Sequence, residues 1–470
     1  MMRKQTSPNN AATGYSDSRQ EKTSGPGRRW LILAHCFNMD GRAASQTVTD
    51  RIPFLLEQGV QPLVLSAPTG ERDDRFPHHR IFSASPSCFL FEVRQIINQK
   101  LASPRWRFCL KAALTAVLLP FYVLEKIFIH LDSHWGWTIS ATWSGWRLIK
   151  KHGPEMIYSS GGASSAHMAG FLLCRISGLP WLAELHDPLC YTHRPPRGQN
   201  ARFHCWLEKI IARHSDAVVF FTQKARDQAC ERQPELVGKS TVIRPGANPP
   251  DFGGVHHRQS EKLHLGHFGS LSPTRNMKAL FTALADLFQR TPEWRQLCKV
   301  HIYGSDPDPI THRTLTAFHL EDIVAMHGRL EHDQRTGKSG RQQILEAMRQ
   351  MDILILIQGD GLDSLEYVPS KFYEYALTNR PILGLVCNDS ELDHILEETG
   401  HLRVDADNPE AIAETIDLLV RRWQASGLPD LTHPPSFNVQ HAVECLFRIA
   451  EEITSSGRKQ TTAKKNGEIK

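Results

Sequence analysis

Gln358–Val386 reads QGDGLDSLEYVPSKFYEYALTNRPILGLV, and its residue order implies three local structures in succession. Gly359, Gly361 and the neighbouring acids make a flexible acidic loop. Pro369 biases Val368 towards an extended backbone, and Ser370 is suited to cap a helix over Lys371–Thr378. Arg380-Pro381 ends that helix, because proline has no amide hydrogen to continue it, and Ile382–Val386 follows as an interior parallel strand. Two acids, Glu366 and Glu374, flank the helix start with seven residues between them. Lys371 lies in the first helical turn, where a cation opposes the helix dipole unless an anion is close. The stretch therefore predicts an anion bound at a helix start inside an α/β sheet.

Outward from it, apolar runs of strand length alternate with helical segments. Arg28–Phe37 opens a first series, a helix runs from about Ala43 to Gln58, and Gln61–Ser66 and Arg80–Ser83 are the next strands. Glu155–Ser160, Pro180–Glu184, Ala217–Thr222 and Thr241–Arg244 continue it. A second series starts at Leu263 and includes Lys299–Tyr303, Ile323–His327, Asp352–Ile357 and Leu402–Asp405. Such alternation gives right-handed βαβ units. The expected fold is α/β, with two Rossmann-like doubly wound domains facing across a cleft. They span 28–248 and 263–437, joined by a polar, proline-rich linker at 249–262. A helix over 438–455 is a candidate to pack back on the first domain, followed by a basic tail at 456–470. Residues 1–27 have the composition of a disordered lead-in and lack the apolar core of a secretory signal.

Residues 86–150 interrupt the first series as a helical insertion. They hold Trp106, Trp135, Trp137, Trp143 and Trp146, together with the most apolar run of the chain, Ala112–Leu124. That run is broken by Pro120 and followed by Glu125-Lys126, so it is too short for a transmembrane helix. Two readings stay open. One is a helical pair covering the sheet or the interdomain cleft. The other is an interfacial element at 104–131, with tryptophan, Arg105, Arg107 and Lys111 at the headgroup level of a membrane.

The length of 470 residues exceeds one ordinary core, and 40% apolar with 22% charged residues describes a globular chain. A net charge of +5 is too modest to indicate nucleic acid as a partner. The ten cysteines are scattered without a C-x-x-C pair. They read as reduced thiols of a cytoplasmic protein, with neither a disulfide framework nor a zinc site. The histidines show no ligand spacing, so no metal is expected.

Four segments carry a resemblance to a known family. HFGSLSPTRNMKALFTAL from His267 is a strand–loop–helix, and IYGS and HGRL are two later strand ends. The opening stretch is similar to the E-x7-E segment in a Pro-Ser-Lys-x-x-Glu-Tyr form. EMIYSSGGASSAHMAGFLLCRISGLPWLAELHDP from Glu155 looks like the matching piece of a first domain. Together they resemble the GT-B glycosyltransferases of the retaining family 4 type, over roughly residues 29–455.

The resemblance implies a nucleotide-sugar as co-substrate, with no other cofactor, and a saccharide or lipid-linked saccharide as acceptor. Negative charge builds on the departing diphosphate, and cations or helix-start amides stabilise it best in the transition state. Arg275, beside the Gly269 strand-end loop, and Lys371 are the candidates, supported by Lys278 and the amides after Ser370. Carboxylates suit vicinal hydroxyls. The family pattern gives Glu374 the nucleotide ribose and Glu366 the transferred sugar. Asp360 or Asp363 could replace Glu366, because the glycines that usually follow it are absent. His186-Asp187 ends a strand where ligands meet such sheets and is the catalytic candidate of the first domain. Gly41-Arg42 and Gly161-Gly162 are the loops where backbone could approach acceptor or phosphate. Protein cations in place of a divalent ion would make transfer metal-independent. The expected location is cytoplasmic, peripheral on the inner face of the plasma membrane if 104–131 meets lipid. A nucleotide-sugar epimerase of the same fold and a non-catalytic sugar- or protein-binding module are the alternatives.

Overall fold

The computed structural model describes residues 28–467 apart from 40–42, 102, 133, 251, 253, 305, 331–332, 334 and 360. The N-terminal sheet contains Arg28–Leu33 (β1), Val60–Ser66 (β2), His78–Arg80 (β3), Met156–Ser160 (β4), Trp181–Leu185 (β5), Ala217–Phe220 (β6) and Ser240–Val242 (β7). Its strands are parallel, in the order β3-β2-β1-β4-β5-β6-β7. The second parallel sheet contains Leu263–Phe268 (β8), Cys298–Tyr303 (β9), Val324–Gly328 (β10), Ile353–Ile357 (β11), Ile382–Val386 (β12) and Leu402–Asp405 (β13). Its order is β10-β9-β8-β11-β12-β13. Strand order therefore reverses between β1 and β4 and between β8 and β11. Ligands of such sheets bind beyond the strand ends at these switch points.

The first domain adds Ala43–Thr49 (α1), Ile52–Glu57 (α2), Pro86–Lys100 (α3), Pro104–Phe128 (α4), Trp137–His152 (α5), Ser164–Ser177 (α6), Gly198–His214 (α7) and Gln223–Arg232 (α8). The second adds Lys278–Arg290 (α9), Trp294–Leu297 (α10), Pro309–Ala317 (α11), Gly340–Gln350 (α12), Lys371–Ala376 (α13), Glu391–Glu398 (α14) and Pro409–Ser426 (α15). Val439–Gly467 (α16) ends the described chain. Each sheet is buried on both faces because successive side chains alternate. In β1, Leu31 and Leu33 join one core while Trp30 and Ile32 join the other.

Helix α16 lies on the first domain. Val443 and Leu446 share a core with Trp30, the Trp30 and Phe447 rings stack at 6.3 Å, and Arg28 pairs with Glu451 at 2.6 Å. The chain returns to that domain beside the point where it left. The Ala247 amide donates to the Phe437 carbonyl at 2.9 Å, and the Val439 amide to the Ala247 carbonyl at 3.2 Å.

Several expectations are corrected. The helix expected over 43–58 is two helices, with Pro53 in the first turn of α2, and the third strand lies at His78–Arg80, sharing only Arg80 with the expected 80–83. Helix α16 runs on through most of the segment expected to be a basic tail. Helix α4 continues through Pro120 for 25 residues, and it covers neither sheet nor cleft: its apolar side chains are largely exposed. Among the described residues it is the one helix long and apolar enough to cross a membrane. Helix α5 does cover the sheet, burying Trp137 and Leu148. Cys190 and Cys205 form a disulfide, against the expectation of reduced thiols throughout. The pair is invisible to a C-x-x-C search because a loop and the start of α7 bring together residues 15 apart. The disorder expected for 1–27 lies outside the described residues.

Candidate active site

One buried ring stands at the β8/β11 switch point. His267 is fully buried in β8. Its Nδ1 lies 3.1 Å from the Ile355 carbonyl, and its Nε2 finds no hydrogen-bond partner among the described residues. That nitrogen is aimed at Gly269, where a β-carbon would stand 3.7 Å from it. Burial drops the His267 pKa to about 4, and the charges of Arg275 and Lys371 both add to the effect. The ring is therefore neutral near pH 7, and the charges of the two cations predicted from sequence both act against its protonation. Arg275 sits in the loop before α9, not in the helix. Its guanidinium donates to the Ser270 carbonyl at 3.0 Å, while reciprocal backbone bonds join Arg275 and Ser272. Lys278, the first residue of α9, lines a neighbouring cavity of about 740 Å³ with Gln358, Asn388 and Asp407.

Helix α13 differs in detail from its expectation. It ends at Ala376, and Ser370 has helical backbone angles with no cap bond from its hydroxyl among the described residues. The Pro369 and Ser370 carbonyls already accept from Phe372 and Tyr373 amides, so the turn starts one step earlier than a Ser370 cap would allow. Six residues also make a weak dipole, and the cations carry the anion argument instead.

Glu374 lies at the floor of a 190 Å³ cavity between the domains, formed also by Asp50, Gly246, Arg341, Ser370 and Lys371. Lys371 Nζ is 2.7 Å from one Glu374 carboxylate oxygen and Arg341 is 3.3 Å from the other. Arg341 also reaches Asp50 of the first domain at 3.8 Å. Burial raises the Asp50 pKa, against the pull of Arg341. Sequence reasoning missed Arg341; its place opening α12 resembles that of any surface cation.

Glu366 closes a 3-10 turn, Leu362–Glu366, that faces α8. It is buried, its carbonyl accepts from the Thr222 hydroxyl at 2.6 Å, and its Oε2 has no partner among the described residues. Burial pushes its carboxyl above the ordinary glutamate range, although Arg232 and His193 pull the other way. Asp363 is engaged by His193 at 2.7 Å and Arg194 at 2.8 Å, while Asp360 lies outside the described residues.

On the first domain, His186 stands on a network that sequence reasoning did not find. Glu184 in β5 is fully buried. It takes contacts from Arg51, from the Tyr158 hydroxyl at 2.5 Å and from the Ser160 hydroxyl at 3.1 Å. Burial opposes its charge, but Arg51, His186 and Tyr158 together outweigh it and hold the carboxyl well below the usual range. Because the Ser160 hydroxyl donates to Glu184, its oxygen accepts from His186 Nε2, 2.9 Å away. That proton assignment leaves Nδ1 of a neutral His186 as an acceptor for a ligand hydroxyl. The ring also stacks on Phe221 at 4.6 Å. The missed signal was a lone glutamate inside the apolar strand WLAEL. Asp187 is exposed. Gly161 and Gly162 follow β4. A β-carbon on Gly161 would strike His186, and Gly162, at φ +89°, packs on Ala44. The predicted Gly41-Arg42 loop lies outside the described residues.

Among the described residues, one group of possible metal ligands stands together: His35, Cys88 and Glu92, all buried. Burial works against charge on His35, yet hydrogen bonds with Cys36, Cys88 and Glu92 lift its pKa well above the ordinary value. With Glu92 Oε1 3.4 Å from Nε2, an internal ion pair accounts for the cluster.

Residues 91–246 match the glycosyl transferase 4-like domain family. Among curated proteins no sequence match is found. The fold is similar to Anabaena HepE, solved with UDP and glucose: TM-score 0.53, 14% identity, 92% of this chain and 99% of that one covered. It is also similar to sucrose-phosphate synthase of Thermosynechococcus elongatus, with TM-score 0.52, 15% identity and coverage of 93% and 100%. A UDP-forming trehalose-phosphate synthase of Burkholderia vietnamiensis gives TM-score 0.53, 12% identity and coverage of 93% and 99%. Fold and domain match together define the class. The chain is a two-domain α/β protein of the GT-B fold and an enzyme of glycosyltransferase type.

Proposed function

We propose that the protein transfers a sugar from a nucleoside diphosphate to an acceptor hydroxyl, with retention of configuration and without a divalent metal. The observation that carries this reading is the partnerless Nε2 of buried His267 aimed at Gly269, with Arg275 on the adjoining Ser270 carbonyl and Lys371 near enough for its charge to act on the ring. Two cations and an open glycine backbone suit a diphosphate. As the bond from the anomeric carbon to the β-phosphate oxygen breaks, its electron pair goes to that oxygen, where the cations stabilise it. The acceptor oxygen bonds to the same face of the anomeric carbon, and its proton passes to the departing phosphate oxygen. Glu374, turned into the cleft, takes the ribose hydroxyls by releasing Lys371 or Arg341. Glu366 and His186 Nδ1 accept hydrogen bonds from the transferred sugar or the acceptor.

Nucleoside-diphosphate sugars with different bases, tested for protection against thermal unfolding, identify the donor. Transfer is then followed with that donor, with and without EDTA. Protection and transfer that survive Arg275→Ala and Glu374→Ala would overturn the assignment. Conversion of the donor without any acceptor would identify an epimerase instead.

A further inference from the structure

Helices α3 and α4 form an antiparallel pair that is anchored on the first domain through α3, whose Cys88 and Glu92 meet His35, while α4 lies on the outer side. On α4, Arg107, Thr115, Leu118, Tyr122 and Glu125 recur at helical spacing as the more buried side. The rest of the surface is open: Trp106 is 64% exposed, Val117 69%, Phe121 58% and Phe128 70%. A helix in water does not normally show apolar side chains on most of its circumference.

The charges of the pair have one sign. Between Pro86 and Phe128 there are six cations, Arg94, Lys100, Arg105, Arg107, Lys111 and Lys126, and two acids. Both acids are buried, Glu92 between α3 and the first domain at His35 and Ser83, and Glu125 between α4 and the start of α3. Glu92 accepts from the Ser83 amide and hydroxyl, and Glu125 from Ser87 and from the Trp135 indole at 2.7 Å. The outward surface is therefore apolar, with Arg94, Lys100 and Arg105 exposed on it and no acid, the complement of an anionic lipid surface.

Topology decides how such a helix meets a bilayer. At ~1.5 Å per residue, 25 residues could reach across the ~30 Å hydrocarbon layer. Yet β1 and β2 precede α4, β4 follows it, and β1 pairs with both β2 and β4 in one sheet. Both ends of α4 must lie on the same side. The return span would have to be α3, which has 15 residues and carries Arg94, Asn98, Gln99 and Lys100. That is too short and too polar to cross.

We propose that the α3–α4 pair lies in the interface of a membrane rich in anionic phospholipid, with α4 sunk among the acyl chains and its flanking cations at the phosphates. This surface is independent of the proposed reaction, because lipid binding needs no donor. The full chain should float with phosphatidylcholine vesicles containing one-third phosphatidylglycerol, and markedly less with phosphatidylcholine alone. Replacing Lys100 and Arg105 by Ala should weaken binding about fivefold for each cation. Val117→Asp/Phe121→Asp should abolish flotation while leaving the far-ultraviolet spectrum and thermal midpoint unchanged, since both side chains are already in water. Equal flotation with the two vesicle types, or flotation that survives the double aspartate variant, would overturn the proposal. So would self-association that this variant abolishes in a chain that binds no lipid.

Discussion

The Gly161 backbone lies so close to His186 that a β-carbon there would come within 2.8 Å of the imidazole. The end of β4 and the tip of β5 meet only because this residue has no side chain. Gly161→Ala should push the ring off its bond with Ser160. A displacement of that kind costs roughly a hundredfold in transfer rate when the group positions a substrate. Steady-state kinetics should show the loss in kcat more than in the KM for the donor, since the donor-side residues are untouched.

Glu184 and Arg51 form a closed pair inside the first domain. Glu184→Gln leaves Arg51 buried without its partner and should lower unfolding free energy by about 3–5 kcal/mol in urea titrations. The acid limb should change as well. The folded-state pKa of Glu184 lies below its unfolded value, so the unfolded chain takes up that proton first as pH falls. The stabilisation is complete above the ordinary glutamate range and drains away below it. A stability profile from pH 7 downward should therefore fall less steeply in the Gln variant than in the parent.

His267 makes a contribution of the same sign over a higher pH interval, because its folded form also resists protonation. With a folded pKa of about 4 against an ordinary value of 6.5, the unfolded chain binds the proton first. Stability from this residue is full above pH 6.5 and is lost as pH drops towards 4, by up to about 3 kcal/mol. His267→Gln should flatten that interval. A diphosphate against Nε2 favours the protonated ring, so UDP or its counterpart should bind more tightly at pH 5.5 than at pH 7.5. Calorimetry on the parent and the variant checks both signs.

Lys371→Ala and Arg275→Ala should each raise the donor dissociation constant by about 10- to 100-fold, the range for a charged hydrogen bond to phosphate. Arg341→Ala should act differently. Its contact with Glu374 is partly exposed, so stability should move by less than about 1 kcal/mol. With Arg341 gone, Glu374 has one competitor fewer for ribose hydroxyls. A thermal-shift titration with the nucleotide separates the two behaviours.

Much of the architecture could be read from pattern alone. Runs such as DILILI and PILGLV, cut by glycine or proline and separated by amphipathic segments, specify buried parallel strands and the helices between them. Among the candidate cations, Arg275 was legible beside a strand end and Lys371 at a helix start. What the sequence hid depends on distance in the chain. Arg51 and Glu184 meet across 133 positions, and nothing local marks Arg51 as the partner of that glutamate. The Cys190–Cys205 bridge was hidden likewise. The apolar run at 112–124 was read as short because Pro120 counted as a break. A proline removes one hydrogen bond, and α4 has enough turns on each side to continue past it.

The two passages of the chain between the domains run side by side, held by the paired backbone of Ala247 with Phe437 and Val439. Gly246 is fitted so tightly there that a β-carbon would lie 2.7 Å from the Asn438 carbonyl carbon. Both connections between the domains therefore pass through one bonded point. The 190 Å³ cavity that contains Glu374 has Pro245, Gly246 and Val439 in its wall, so a ligand there would touch both domains at the place where the chain ties them together.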